Sequence, residues 1–210
     1  MVNEKIRQAV QILKEMDVDL WLTFVRETGT VPDPALELIF GSHVTWTSAF
    51  MITATGKTIA IVGSLDAQNV KDHAAYDVIT YVDAISGDFL EKLKEIDPKT
   101  IAINTSTNDV TADGLTHGMY QNLLELLKDT PYGERLQSSE KIIAALRGRK
   151  SEAEVAAIQG AIDATLAIYD EVTGWVKPGV TELEVQDYIN ERMNARGLTA
   201  AWDPSHCPAV

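Results

Sequence analysis

The sequence predicts an α/β fold in which a mixed sheet is flanked by helices and then followed by a purely helical stretch. Three observations carry this. Short β-rich apolar runs alternate with helix-periodic segments up to residue 128, two of those runs close into a hairpin, and helical periodicity takes over after residue 133. The first helix sets Ile6, Ala9, Val10, Leu13 and Met16 on one stripe, and the apolar run over 19–25 that follows has the length of a strand. Thr28, Gly29, Pro32 and Pro34 mark a loop, because each proline removes an amide donor and resists helix. Residues 45–53 and 57–63 are β-rich and flank Ala54-Thr55-Gly56, so they pair as a hairpin.

The alternation continues with a helix over 65–72, a strand over 76–82, and a helix carrying Phe89, Leu90, Leu93 and Ile96 that stops at Asp97-Pro98. A strand over 100–104 leads to a helix over 113–128 with Leu115, Met119, Leu123, Leu126 and Leu127 on one face. Beyond Thr130-Pro131-Tyr132-Gly133 come helices over 138–151, 151–176 and 181–196. Ser151 with Glu154, and Thr181 with Glu184, have the spacing of capping boxes, in which hydroxyl and carboxylate satisfy free amides at a helix start. The long helix aligns Val155, Ile158, Ile162, Leu166, Tyr169, Val172 and Val176. Gly160 inside it costs about 1 kcal/mol relative to alanine, which predicts another backbone close by. Lys177-Pro178-Gly179 and Gly197 end the last two helices. The domain reading is an α/β domain over 1–135, a linker helix over 136–150, and an incomplete further domain over 151–210.

A chain of 210 residues amounts to about one and a half domains. Its 45% apolar and 23% charged residues are globular averages and exclude disordered, collagenous and membrane classes. With 31 acidic against 18 basic residues the formal charge is −13, which repels phosphate backbones and excludes nucleic acid as a partner. No run approaches the roughly 18 apolar residues of a membrane helix. Charges interrupt the start, where a signal peptide would be apolar, and the lone Cys207 closes no internal disulfide. Cytoplasmic location follows as the expectation.

The chemistry-bearing residues are scattered. Gly56-Lys57-Thr58 imitates the end of a phosphate loop, yet Met51 stands where that loop needs glycine, and the segment opens a strand. Dinucleotide, zincin and serine-hydrolase motifs are absent from the sequence. His43, His73, His117 and His206 lie far apart without a partner at ligand spacing, and read as surface or hydrogen-bonded histidines. The adjacency of His206 and Cys207 does not set a base against a thiol. Arg147, Arg149 and Lys150 read as cations offsetting a helix dipole at a connector, or as an anion site.

The stretch Leu146-Arg147-Gly148-Arg149-Lys150-Ser151, its long helix, the turn Lys177-Pro178-Gly179-Val180-Thr181-Glu182 and the helix to Gly197 resemble the start of the catalytic domain of the pita-bread metallopeptidases. That superfamily holds the Xaa-Pro aminopeptidases, prolidases and creatinase. The preceding part resembles the creatinase-type amino-terminal domain through Phe40-Gly41, and a prolidase-like subgroup through Ala112-Asp113-Gly114-Leu115-Thr116-His117-Gly118. The resemblance spans nearly the whole chain, and its specific part is 147–197.

The resemblance implies a hydrolase of Xaa-Pro peptides that holds two divalent metals (Mn, Co or Zn) through two aspartates, a histidine and two glutamates. In the family these ligands lie beyond the second helix, after a strand-rich stretch that this sequence does not reach. No catalytic residue, no metal ligand and no cofactor is therefore assigned within these residues, and the chain is expected to be a truncated, inactive amino-terminal part serving dimerisation and substrate gating. The resemblance further implies a homodimer in which this domain lines its partner's active site, with His43 and Trp46 as the gating residues. Trp46 also reads as ordinary sheet packing. Two alternatives stand beside this: a non-catalytic interaction domain of a degenerate family member, and a metal-free creatinase-like amidinohydrolase.

Overall fold

Side chains along a strand alternate between faces, and a sheet covered on both sides must therefore carry apolar residues in both registers. In a computed structural model describing residues 1–203 and 207–208, the first of two units, Met1–Ser151, is built this way. Its elements run α1 (Val2–Glu15), β1 (Leu20–Val25), α2 (Leu36–Ile39), β2 (Ser48–Thr53), β3 (Thr58–Gly63), α3 (Ala67–His73), β4 (Asp77–Tyr81), α4 (Ser86–Ile96), β5 (Ile101–Ile103), α5 (His117–Leu127), β6 (Leu136–Ser138) and α6 (Glu140–Gly148). The strands form one sheet in the order β4-β3-β2-β1-β5-β6. The β1–β2 and β2–β3 pairs are antiparallel, and β3–β4, β1–β5 and β5–β6 are parallel. This is the mixed sheet the sequence predicts, hairpin included.

Trp21, Phe50, Ile52, Ala60, Val62 and Ala102 point to one face, under α1, α2, α3 and α6. Leu20, Leu22, Phe24, Met51, Ile61, Ile101 and Ile103 point to the other, under α4 and α5. Every residue of β1 is buried, as a central strand between two helical layers requires.

Two elements differ from the sequence reading in a way that matters for the site. Residues 113–116 belong to a loop rather than to the helix: Leu115 donates its amide to the Asn104 carbonyl at 2.9 Å. Thr116 then caps α5 by accepting from the Met119 amide at 3.3 Å. Residues 136–150, read from sequence as a linker helix, consist of the edge strand β6 and of α6, whose Ile142, Ile143 and Leu146 are buried in the first core.

The carboxyl end of α6 is fastened to α1. Lys5 is only 3% exposed, and its Nζ donates to the carbonyls of Leu146 at 2.9 Å and Arg149 at 2.8 Å. An ammonium here satisfies carbonyls that have no partner within the helix and complements the helix dipole. Glu15 at the other end of α1 pairs with Arg149 at 2.6 Å.

The second unit, Glu152–Val210, contains α7 (Glu152–Trp175) and α8 (Glu182–Ala195). The capping box at Thr181 is formed: its hydroxyl accepts from the Glu184 amide, and the Glu184 carboxylate accepts from the Thr181 amide at 2.8 Å. Trp175 stacks on Tyr188 at 4.4 Å. No atom lies within 4 Å of a Cβ built on Gly160, so the close backbone approach expected there is not what the glycine serves. The expected stripe of α7 is mostly exposed, with Leu166 at 57%, and the one buried residue of this helix is Ile168.

The Lys5 contacts predict that Lys5→Met lowers unfolding stability by about 2 kcal/mol, because a buried and a partly buried carbonyl lose their donor. Urea denaturation beside Arg7→Met, an exposed residue on the same helix, checks this, and equal effects of the two changes would count against it.

Candidate functional site

The chain leaves the carboxyl ends of β1 and β5 in opposite directions. After β1 it runs to α2 in the first helical layer, and after β5 it runs to α5 in the second. In open α/β sheets this divergence leaves a crevice outside the strand ends, where ligands bind.

A buried polar cluster holds the crevice in place. Asn104, immediately beyond β5, uses its whole amide. Its Oδ1 accepts from Trp21 Nε1 at 2.7 Å and from Ser139 Oγ at 2.8 Å, while its Nδ2 donates to Thr23 Oγ1 at 3.2 Å and to Asp33 Oδ2 at 2.9 Å. Asp33 is 4% exposed, and its other oxygen accepts from the Ala35 amide at 2.8 Å. Arg147 binds the neighbouring Pro34 carbonyl at 2.8 Å. Burial pushes the Asp33 carboxyl above its ordinary value, against the opposing pull of the Asn104, Ala35 and Leu36 hydrogen bonds and the Arg147 charge. The backbone of Gly114 crosses directly over the carboxylate, so that a Cβ there would lie 2.2 Å from Asp33 Cγ.

Above this cluster lies a cavity of about 260 Å³ lined by residues that include Phe24, Arg26, Glu27, Val31, Thr116 and Met119. Glu27 has φ +50°. The two other non-glycine residues with positive φ among those described, Asp17 and Asp97, lie two residues beyond α1 and one beyond α4, where a helix end often turns left-handed. Glu27 ends no helix, and the conformation costs it roughly 1–2 kcal/mol. It is held by backbone bonds: its amide donates to the Thr45 carbonyl at 3.1 Å, and its carbonyl accepts from Thr30 and Val31, both at 2.9 Å.

The residues singled out from sequence lie on the adjoining loop. His43 is exposed and its carbonyl accepts from Asn69 Nδ2 at 2.7 Å. Trp46 is half-buried, covers Gly63 so closely that a Cβ there would sit 2.4 Å from its ring, and lies 5.9 Å from the Tyr81 ring. Asp66 anchors this loop by accepting from the Thr45 and Trp46 amides at 3.0 Å. His43 and Trp46 thus share a loop without sharing a cavity. The described residues contain no group of three or more His, Cys, Asp or Glu that could hold a metal ion, and no step is assigned to a metal held by them. His206 lies outside the described residues.

No protein-family model and no curated protein matches the sequence. Solved structures do match. An Xaa-Pro dipeptidase from Bacillus anthracis superposes with a TM-score of 0.59 at 17% identity, covering 93% of this chain and 50% of that one. An X-Pro aminopeptidase from Thermotoga maritima gives 0.58 at 17% identity, covering 91% and 49%. The creatinase/prolidase amino-terminal domain of an X-Pro dipeptidase from Streptococcus pyogenes gives 0.50 at 12% identity, covering 68% and 98%. The likeness is one of fold: the first unit has the fold of the creatinase/prolidase amino-terminal domain. The chain spans about half the length of the dipeptidase and aminopeptidase that it matches.

Two consequences of the buried cluster can be measured. Gly114→Ala should cost about 2–3 kcal/mol, since neither the loop nor the locked carboxylate can give way, and a variant as stable as the wild type would contradict the close approach. Asp33 binds its proton more tightly folded than unfolded, so its contribution is full below its ordinary value of 3.8 and is lost as pH rises through its raised folded value. Asp33→Asn cannot titrate. The stability difference, wild type minus variant, should fall in urea titrations as pH rises above 3.8, and a difference independent of pH would show that the carboxyl is not perturbed.

Proposed function

We propose that this chain forms the amino-terminal half of a metal-dependent hydrolase of Xaa-Pro peptides, and that it acts in dimerisation and substrate gating rather than in bond cleavage. The observation that carries the reading is the extent of the structural likeness. It covers 93% and 91% of this chain in two structures described as an Xaa-Pro dipeptidase and an X-Pro aminopeptidase, and so runs beyond the first unit.

The apolar face of α7 supports the same reading. Val155, Ile158, Ile162, Leu166 and Tyr169 are exposed together, and an apolar stripe this long in water is a surface built to be covered. The catalytic half of such a hydrolase is the cover this reading supplies. No helix among the described residues is long and apolar enough to cross a membrane. The reading places the protein in the cytoplasm as a homodimer.

Gating falls to the loop before β2. His43 is its exposed side chain, and Trp46, seated on Gly63 and near Tyr81, is the anchor that fixes the loop. The 210-residue chain alone should release no proline from Xaa-Pro dipeptides in the presence of Mn²⁺ or Co²⁺, whereas a dimeric protein containing it together with a catalytic half should. Turnover by the chain alone would overturn the division of labour. In that dimer, His43→Ala should change the ratio of kcat/KM for dipeptides against longer peptides by about tenfold, or about 1.4 kcal/mol of transition-state discrimination. A ratio that does not move would remove His43 from the gate.

A further inference from the structure

We propose that the cavity at the carboxyl end of β1 binds a small zwitterionic amino acid, with its carboxylate on Arg26, its ammonium on Glu27 and its apolar side chain against Phe24, Val31 and Met119. This goes beyond the hydrolase reading and does not depend on it, because every residue involved lies within the first unit.

Three independent observations meet at this point. The first is topological: the cavity opens where the loops after β1 and β5 part toward opposite helical layers, the place at which α/β sheets receive ligands. The second is conformational. Consecutive residues of an extended strand face opposite ways, yet the left-handed turn at Glu27 brings Arg26 and Glu27 to the rim of one cavity. Strain held by several backbone bonds beside a cavity is characteristic of binding sites. The third is chemical. Arg26 and Glu27 are exposed, and neither side chain makes a hydrogen bond or ion pair among the described residues, while Phe24 and Met119 form a buried apolar floor.

Size and charge select the ligand class. About 260 Å³ holds one amino acid with an aliphatic side chain and is smaller than the usual pocket for a drug-sized molecule. A multiply charged anion would be repelled both by Glu27 and by a chain carrying a net charge of −13. A zwitterion carries no net charge, and it matches adjacent groups of opposite sign. Thr116, at the start of the eleven-residue helix α5, lines the same cavity and adds the positive end of that helix to it.

L-Leucine is the probe. Titrated into the ¹⁵N-labelled full chain, it should shift the amide resonances of residues 24–31 and 114–119 in a saturable manner. Arg26→Gln should weaken the binding roughly tenfold or more, the loss expected for one charge-assisted hydrogen bond, and Arg7→Gln should not. 4-Methylpentanoate, which lacks the ammonium, should bind more weakly than leucine, and Glu27→Gln should abolish that preference. Absence of saturable shifts at millimolar leucine, shifts confined to other residues, or equal affinity in the wild type and Arg26→Gln would overturn the proposal. Equal binding of leucine and 4-methylpentanoate would overturn its zwitterionic form.

Discussion

A single amide side chain organises the first unit. Asn104 has two donor hydrogens and one acceptor oxygen, and buried in an α/β/α sandwich each of them must find a partner or cost 1–3 kcal/mol. Its partners come from three separate segments: Trp21 and Thr23 on β1, Asp33 in the loop after it, and Ser139 at the start of α6. The central strand, the loop that follows it and the last helix of the unit are thereby placed relative to β5 by one residue. Polar networks of this kind fix geometry only when every member is satisfied, and the Asn104 amide meets that condition. One buried donor beside it, Arg147 Nε, has no partner among the described residues, and the guanidinium acts as charge compensation for Asp33 as well as a donor to Pro34.

From this fixed point the character of the strand-end crevice follows. Asp33 cannot move, because Asn104 and the Ala35 amide hold both oxygens, and Gly114 can therefore lie against it only as a glycine. Gly114 in turn sets the path of the loop into α5, where Thr116 caps the helix. On the opposite wall, pairing of Glu27 and Thr28 with Val44 and Thr45 holds the strained turn after β1 against the loop before β2. The cavity thus stands between two walls that are rigid for different reasons, one a buried carboxylate lock and the other a backbone ladder. Rigid walls bind with less loss of conformational freedom than mobile ones.

Much of this architecture was legible in the sequence. Hydrophobic periods of 3.6 and 2 located β1 to β5 and the long helices, since burial on both faces of β1 to β3 leaves an unmistakable apolar run. The spacing of Thr181 and Glu184 identified a cap that the structure forms. Three other features were not legible, for identifiable reasons. Leu115 lies on the helical stripe of α5, yet its amide is claimed by Asn104, a tertiary bond that periodicity does not encode. Residues 136–150 have a helix pattern, but only the fold shows that β6 joins the sheet and that Leu146 completes the core against α1. The polar cluster escaped notice because Asp33 stands in a proline-flanked loop and Asn104 at a strand end, positions where such residues are ordinarily solvated. His43 and Trp46 attracted attention as residue types, whereas the organising residues were an asparagine and a glycine. The resemblance in residues 147–197 conveyed the fold more directly than any local pattern.

The two units use apolar surface in opposite ways, and this contrast bears on the architecture as a whole. In the first unit nearly every large aliphatic side chain of the sheet is buried, and its exposed apolar residues are scattered singly: Met1, Val31, Leu65, Val82 and Val110. In the second, α7 leaves a periodic stripe in water while burying Ile168, and α8 buries Ile189. A helix whose apolar positions keep strict spacing has that pattern because something packs on it. Outside the stripe α7 carries Glu152, Glu154, Asp163, Asp170 and Glu171 and no lysine or arginine. The first unit buries apolar clusters on both faces of its sheet, whereas the buried apolar residues among those described in the second are Ile168 and Ile189.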